Sequence, residues 1–129
     1  MRKTGWEGIP VADDVLRNKS YKFALRTIKL FQHLSKEKHE FVISNQVLRS
    51  GTSIGANIEE AEQAQSQPDF IHKLAIAQKE SFETHYWIRL LRDSALLDGK
   101  IAESLLSDCS KLQKLLTSSI KTAKANLTK

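Results

Sequence analysis

The sequence predicts an all-α protein, an antiparallel up-down four-helix bundle. Four long segments repeat apolar residues with the 3.6-residue period of an amphipathic helix, and no segment alternates as a strand does. The breaks between these segments are short, and short connections make consecutive helices run in opposite directions. With only 5 Gly and 2 Pro in 129 residues, collagen-like and Pro/Gly-rich disordered chains are excluded, and the composition argues against a barrel or sandwich with many tight turns.

The first helix is expected to begin after Asn18, a residue type that often caps helices. Residues 1–17 would then be an irregular segment, and residues 18–129 a single bundle domain. The expected core stripe has six members: Tyr21, Ala24, Leu25, Ile28, Phe31 and Leu34. Phe23 and Leu30 lie off this stripe, so they predict additional apolar surface for a subunit contact.

Breaks near residues 37–41, 66–68 and 95–98 separate the remaining helices. The second helix is expected from Val42 to Gln65, with Ile43, Val47, Ile54, Ile58 and Ala61 on its core side.

A start signal follows, because Ser66 can cap a helix, Pro68 fits the first turn and Asp69 suits the positive helix end. The third helix then carries Phe70, Leu74, Ala77, Ser81, Ile88 and Leu91 in register. The fourth carries Ile101, Leu105, Leu112, Leu116, Ile120, Ala123 and Leu127.

The composition excludes several classes of protein but says little about function. No apolar run reaches the roughly 20 residues that a membrane-spanning helix needs, and the start of the chain lacks the apolar stretch of a signal peptide. Cys109 is the only cysteine, which excludes an internal disulfide. We therefore expect a cytoplasmic protein with no membrane partner. The net charge of +5 favours a polyanionic partner, although only modestly.

The positive charge is concentrated on the first and fourth helices. Two stripes carry it: Lys19, Lys22, Arg26, Lys29 and Lys36, with His33, on the first helix, and Lys111, Lys114, Lys121 and Lys124 on the fourth. These helices are neighbours in an up-down bundle, so the stripes are expected to merge into one face that binds RNA or DNA phosphates. The alternative is an ordinary solvated surface.

The second helix contains an unusual polar motif. Arg49, Ser53, Asn57 and Glu60 form one stripe, interrupted by Gly51 and Gly55. Folding the second and third helices against each other makes the numbers of facing residues sum to about 134, which brings Arg49 near residues 83–85 of the third helix. Glu80 or Glu83 is its expected partner. We interpret the motif as structural and expect Arg49, Ser53 and Asn57 to be mostly buried against the third helix. A catalytic cleft is the alternative.

Two strings in this region resemble a known family. Leu48-Arg49 with SIGANIEE at residues 53–60 resembles the hallmark of the 23S ribosomal RNA intervening-sequence proteins. Phe70 with LAIA at 74–77, KES at 79–81, ET at 83–84 and YW at 86–87 matches that family's third-helix pattern. The resemblance extends over about residues 20–125.

The resemblance implies a four-helix bundle that assembles as a ring-shaped homopentamer and carries no enzymatic activity or cofactor. Many members are encoded within insertions in bacterial ribosomal RNA genes. The family is also similar to the accessory protein of diversity-generating retroelements, a basic pentamer that binds nucleic acid and a reverse transcriptase. A partner protein is therefore a further expectation.

The sequence gives little support for a metal site or for a known catalytic motif. Asp69 and His72 have the spacing of one half of a di-iron site, but the second half is absent from the sequence. No P-loop, nucleophile elbow or zinc-protease motif occurs. Two hypotheses remain: a non-enzymatic homo-oligomer that binds nucleic acid, with RNA favoured, and a scaffold or adaptor for protein interactions.

Overall fold

The computed structural model describes residues 14–127, which form four α-helices joined by short connections. α1 spans Asp14–Lys36, α2 Val42–Ala61, α3 Gln67–Asp93 and α4 Gly99–Leu127. α1 and α3 each pack against both α2 and α4, so α1 and α3 occupy opposite corners of the bundle. This part of the chain contains no strand, and the predicted all-α four-helix bundle is confirmed.

Side-chain oxygens cap the starts of three helices. Ser66 accepts a hydrogen bond from the amide of Asp69 at 3.1 Å, and Pro68 lies in the first turn of α3, as predicted. Asp98 accepts from two amides in the first turn of α4. The carboxylate of Glu40 accepts from three amides at the start of α2. These acceptors satisfy amides that have no partner within their own helix.

Two predicted helix boundaries are wrong. α1 begins at Asp14, so Asn18 lies inside the helix instead of capping it, and the expected domain boundary after residue 17 falls within α1. Residues 1–13 lie outside the described part. α2 ends at Ala61 and not at Gln65, because the next three amides bond to carbonyls three residues back and tighten the chain. The second break therefore covers residues 62–66.

The core stripe of α1 differs from the predicted one. Tyr21, Leu25 and Ile28 were expected inside and are exposed to solvent. The buried stripe consists of Leu16, Ser20, Phe23, Thr27, Leu30 and Leu34. Ser20 and Thr27 can be buried because each hydroxyl donates to a backbone carbonyl three residues earlier, at 2.9 and 2.8 Å.

Phe23 and Leu30, which were expected off the stripe, are 1% and 5% exposed and belong to the core. The apolar surplus of α1 is real but lies on the other face of the helix. In the other three helices most predicted core residues are buried. Ile101 and Leu127 are exceptions, at 48% and 43% exposed, and Ile43 is only partly buried.

The glycines of the polar motif face α1 and not α3. A Cβ at Gly51 would lie 2.5 Å from the methyl carbon of Thr27, and one at Gly55 would lie 3.4 Å from the hydroxyl of Ser20. The missing side chain at Gly51 therefore allows α1 and α2 to approach closely. This close approach explains why a residue that costs about 1 kcal/mol in a helix interior is present there.

Candidate nucleic-acid interface

The basic stripe of α1 is exposed along the length of the helix. Lys19, Lys22, Lys29 and Lys36 are exposed, and so is His33. Within residues 14–127 no carboxylate lies within ion-pair distance of these four lysines. Uncompensated lysines on one helix face can approach phosphates without first breaking an internal ion pair.

Arg26 differs from the lysines around it. Its guanidinium donates to the carboxylate of Asp108 on α4 at 2.7 Å. Both side chains are partly exposed, so the pair contributes at most about 1 kcal/mol to stability. The sequence-based prediction grouped Arg26 with the phosphate-binding residues and overlooked Asp108, an acidic residue between the two basic stripes.

The two basic stripes meet at one point. Lys111 lines a cleft of about 140 Å³ together with Lys19 and Lys22, and we call this site the lysine cleft. Phe23 and Asp108 form the rest of its lining.

The other three lysines of the predicted α4 stripe are exposed but lie apart from this cleft. Lys114 is one turn further along α4. The register that opposes Arg26 to Asp108 puts Lys121 and Lys124 beyond Asp14, the first described residue of α1. The expected single face is therefore a strip along α1 with Lys111 at its side.

On the other side of the Arg26–Asp108 pair, α1, α4 and Leu97 of the α3–α4 connection line a larger, open cavity. This α1–α4 groove has a volume of about 340 Å³ and an apolar floor. Its lining consists of Arg26, Lys29, Leu30, His33, Leu97, Ile101 and Leu105. The apolar part of this site was not predicted, because it depends on how α1 and α4 are spaced.

The polar motif of α2 contacts α3 at its two ends. Arg49 donates to Glu80 at 3.2 Å and also to Glu83, which in turn accepts from the indole of Trp87 at 3.1 Å. Glu60 pairs with Lys73 at 2.9 Å. These contacts occur at the predicted register, in which the numbers of facing residues sum to about 134.

The middle of the motif differs from the prediction. Arg49 is exposed over 50% of its side chain and is therefore not buried. Ser53 and Asn57 are partly buried, and both donate to backbone carbonyls of their own helix. The buried polar contact between the helices is instead Thr84 with Ser50, whose hydroxyl oxygens lie 2.8 Å apart. Sequence periodicity gave no reason to single out Ser50.

Two further ion pairs connect neighbouring helices. Arg17 makes two hydrogen bonds to Glu59 on α2, at 3.2 and 2.9 Å, and these raise the pKa of Arg17. Arg92 bonds to Asp93 and to Glu103 on α4, which raises the pKa of Arg92. Together with Arg26 and Arg49, these arginines join helices, whereas the lysines of the α1 stripe remain available.

Two apolar faces are exposed on opposite corners of the bundle. The α1 apolar face consists of Tyr21, Leu25 and Ile28, and the α3 apolar face consists of Phe82, Tyr86 and Leu90. Their members are between 36% and 67% exposed. Contiguous exposed apolar residues usually mark an interaction surface.

Cys109 and the possible metal ligands are the remaining reactive side chains. Burial raises the pKa of Cys109 to about 12, so its thiol stays protonated and unreactive at neutral pH. Within the described residues no three His, Cys, Asp or Glu side chains are close enough to hold a metal ion. No helix described by the structure is long and apolar enough to cross a bilayer.

Comparison with known proteins agrees with the sequence motifs and the fold. The family model of the 23S rRNA-intervening sequence protein matches residues 13–118, which is most of the chain. The chain belongs to this family. The match begins a few residues before the predicted range and includes all of α1, α2 and α3.

A solved structure of the same type supports this assignment. It is a protein of unknown function from the S23 ribosomal protein family of Bacteroides thetaiotaomicron, 51% identical to this chain, with a TM-score of 0.84. The match covers 86% of this chain and 99% of that one. No curated protein matches. Family membership therefore agrees with the bundle, while its name refers to a ribosomal RNA gene context.

Proposed function

We propose that this protein is a non-enzymatic homo-oligomer, ring-shaped and pentameric by its family resemblance, that binds nucleic acid through phosphate contacts, with RNA favoured. The observation that carries the proposal is the row of uncompensated lysines on α1, joined at the α1–α4 seam by Lys111. Here a seam means the line of contact between two neighbouring helices. Lysine acts as a point charge toward phosphate, so little sequence preference is expected.

The two apolar faces support a ring over a two-fold dimer. The α1 and α3 apolar faces are different surfaces on opposite corners, so one copy can bind the next head to tail. Such heterologous contacts generate closed rings when the rotation closes. Thr27 lies beside Gly51, and Thr84 bonds to the adjacent Ser50, so the two faces are at similar heights along the bundle.

A ring made in this way separates the charges of the subunits. Contacts through α1 and α3 place α4 of every subunit on one surface of the ring and α2 on the opposite surface. We call these surfaces the α4 wall and the α2 wall. The α1 lysines and Lys111 border the α4 wall, whereas Glu59 and Glu60 belong to the end of α2 and Glu62 follows it directly. Repetition around the ring multiplies a modest monomer charge on one wall, which favours a long polyanion.

Light scattering on interface variants tests the assembly. Leu25→Glu on α1 and Phe82→Glu on α3 should each reduce the oligomer to smaller species, while Val42→Glu, on an exposed apolar residue outside both faces, should not. A mixture of the two broken variants retains one intact contact, so it should form a particle of two chains. If light scattering gives the parent a mass of 14.6 kDa at micromolar concentration, the protein is a monomer and the ring is contradicted.

Filter binding with ribosomal RNA fragments tests the nucleic-acid role. Affinity should fall steeply from about 50 to 200 mM salt, because binding releases counterions from the phosphates. Absence of binding at low salt would contradict this role.

The alternative is a scaffold or adaptor for a partner protein. The exposed α1 and α3 apolar faces favour it, since they could bind another chain in place of a second copy. From the sequence motifs alone, we also propose a similarity to the accessory protein of diversity-generating retroelements, which would imply a protein partner as well. A monomeric parent that fails to bind RNA would make this alternative the better account.

A further inference from the structure

The α1–α4 seam holds two adjacent cavities of different character. The α1–α4 groove has an aliphatic floor, and three lysines line the lysine cleft. The Arg26–Asp108 pair stands between them, because Arg26 lines the groove and Asp108 lines the cleft. An apolar site beside a cationic site is complementary to a molecule that carries a flat apolar group next to an anion.

Resting on the nucleic-acid role proposed above, we propose that the groove receives one unstacked base of single-stranded RNA while the lysine cleft binds a neighbouring phosphate. The preferred ligand is then a single strand or a loop, and not a duplex. In a duplex the flat faces of the bases are stacked inside and cannot enter a side-chain groove.

The rim of the groove suits a base. Histidine rings and arginine guanidinium planes are surfaces on which unstacked bases stack. His33 is exposed at the rim, and the guanidinium of Arg26 is held in place by Asp108. Lys29, also at the rim, extends the row of charges that leads to the lysine cleft.

Ile101 is the floor residue that a base would cover. It is 48% exposed, whereas the three leucines of the floor, Leu30, Leu97 and Leu105, are at most 5% exposed. Covering Ile101 removes apolar surface from water, which adds affinity for a base without changing the charge of the site. A duplex that contacts only the lysines would leave Ile101 in water.

The test compares two RNA probes with the same number of phosphates, one single-stranded and one a blunt duplex, by fluorescence anisotropy. The parent should bind the single strand more tightly. Ile101→Gln, which keeps the charge and a good helix former, should weaken single-strand binding roughly fivefold and leave duplex binding unchanged. Val42→Gln is the matched control, because Val42 is exposed at the start of α2, and it should bind both probes as the parent does.

The outcomes separate this inference from the function on which it rests. Equal binding of both probes, or a single-strand affinity that Ile101→Gln does not lower, overturns the base site while salt-dependent binding by the lysines stands. A parent that binds neither probe at low salt overturns both proposals. Because Ile101 is half exposed, the variant should retain the parent's melting temperature, and Ile101→Ala gives a second, smaller perturbation of the same floor.

Discussion

The two sides of the bundle are built on different principles. On the α2 side, which consists of the α1–α2 and α2–α3 seams, small residues bring the helices together at Gly51 and Ser50, and Arg17, Arg49 and Lys73 are paired with glutamates. Clefts of about 210 and 520 Å³ also lie along these seams, so the difference between the two sides is one of charge pairing. On the α1–α4 seam the helices leave two cavities, and one ion pair, Arg26 with Asp108, stands among lysines without partners. Close packing and neutralised charge serve the fold. The α1–α4 seam, whose lysines have no acidic partners, is the surface that favours an anionic ligand.

The largest expected effect is a loss of stability at the point where the α2 side is packed most tightly. Gly51→Ala places a methyl group 2.5 Å from Thr27, a buried and β-branched neighbour that cannot move aside easily. Overpacking of this kind costs about 1–3 kcal/mol of unfolding free energy. Urea denaturation measures it.

Gly55→Ala is the matched control for this prediction. Its methyl group would meet the Ser20 hydroxyl at 3.4 Å, an ordinary contact, so the gain of up to about 1 kcal/mol in helix propensity should dominate. If both substitutions have the same effect on stability, the close approach of α1 and α2 at Gly51 is not what the glycine provides.

The charge network of the α2 side should contribute less to the free energy of unfolding than the close packing at Gly51 does. Glu83→Ala removes the shared acceptor of Arg49 and Trp87. Arg49 is half exposed, so the loss is about 1 kcal/mol and not the roughly 3–5 kcal/mol of a dry buried pair. Thermal denaturation checks this value, with Glu103→Ala, which removes one of the two acceptors of Arg92, as a comparison. A loss above 3 kcal/mol would mean that the network is shielded from water.

On the open seam, removing the single acid should affect binding more than stability. Asp108→Asn weakens a partly exposed ion pair, which costs at most about 1 kcal/mol. It also removes the only carboxylate that lines the lysine cleft, so RNA affinity should rise severalfold at low salt. Unchanged or lower RNA affinity in a filter-binding assay would argue that the cleft does not contact phosphate.

The smallest expected effect is the change of folding stability with pH. Burial, with added repulsion from Arg89 and Arg92, lowers the pKa of His85 below its usual 6.5, and nearby Glu103 opposes this shift. On acidification the unfolded chain binds a proton at His85 before the folded chain does, so stability falls below about pH 6.5 and levels off once the folded form is protonated as well. Urea denaturation at several pH values should show a flatter profile for His85→Gln than for the parent, and an unchanged profile would contradict this account.

Periodicity in the sequence predicts most of the fold but not the orientation of α1. Each of α2, α3 and α4 has one dominant apolar stripe or a clear N-terminal signal, such as the capping residue Ser66 of α3. α1 has two apolar stripes, and the buried one contains Ser20 and Thr27, which a hydrophobic pattern counts against it. Their small size and local hydrogen bonds make them suited to contact with Gly51 and Gly55. That fit depends on a neighbouring helix, so α1 alone does not reveal it.

The candidate site was predictable in its charges and not in its shape. Counting lysines at helical spacing identifies the row on α1 and, through Lys111, its link to α4. Arg26 has the same charge and spacing, and only the position of Asp108 on another helix distinguishes it from the lysines. The α1–α4 groove likewise depends on the distance between two helices, which no local sequence pattern encodes.

The salt dependence of RNA affinity tests the difference between the two sides most directly. Lys22→Gln/Lys29→Gln removes two charges from the α1 stripe, and Lys38→Gln/Lys79→Gln removes the same charge from exposed positions outside it. The first variant should bind about tenfold more weakly at low salt, with a shallower slope of log affinity against log salt, since each lost phosphate contact reduces that slope by about 0.9. The second should match the parent. Equal weakening by both variants, or none by either, would contradict the assignment of the α1–α4 seam as the binding surface.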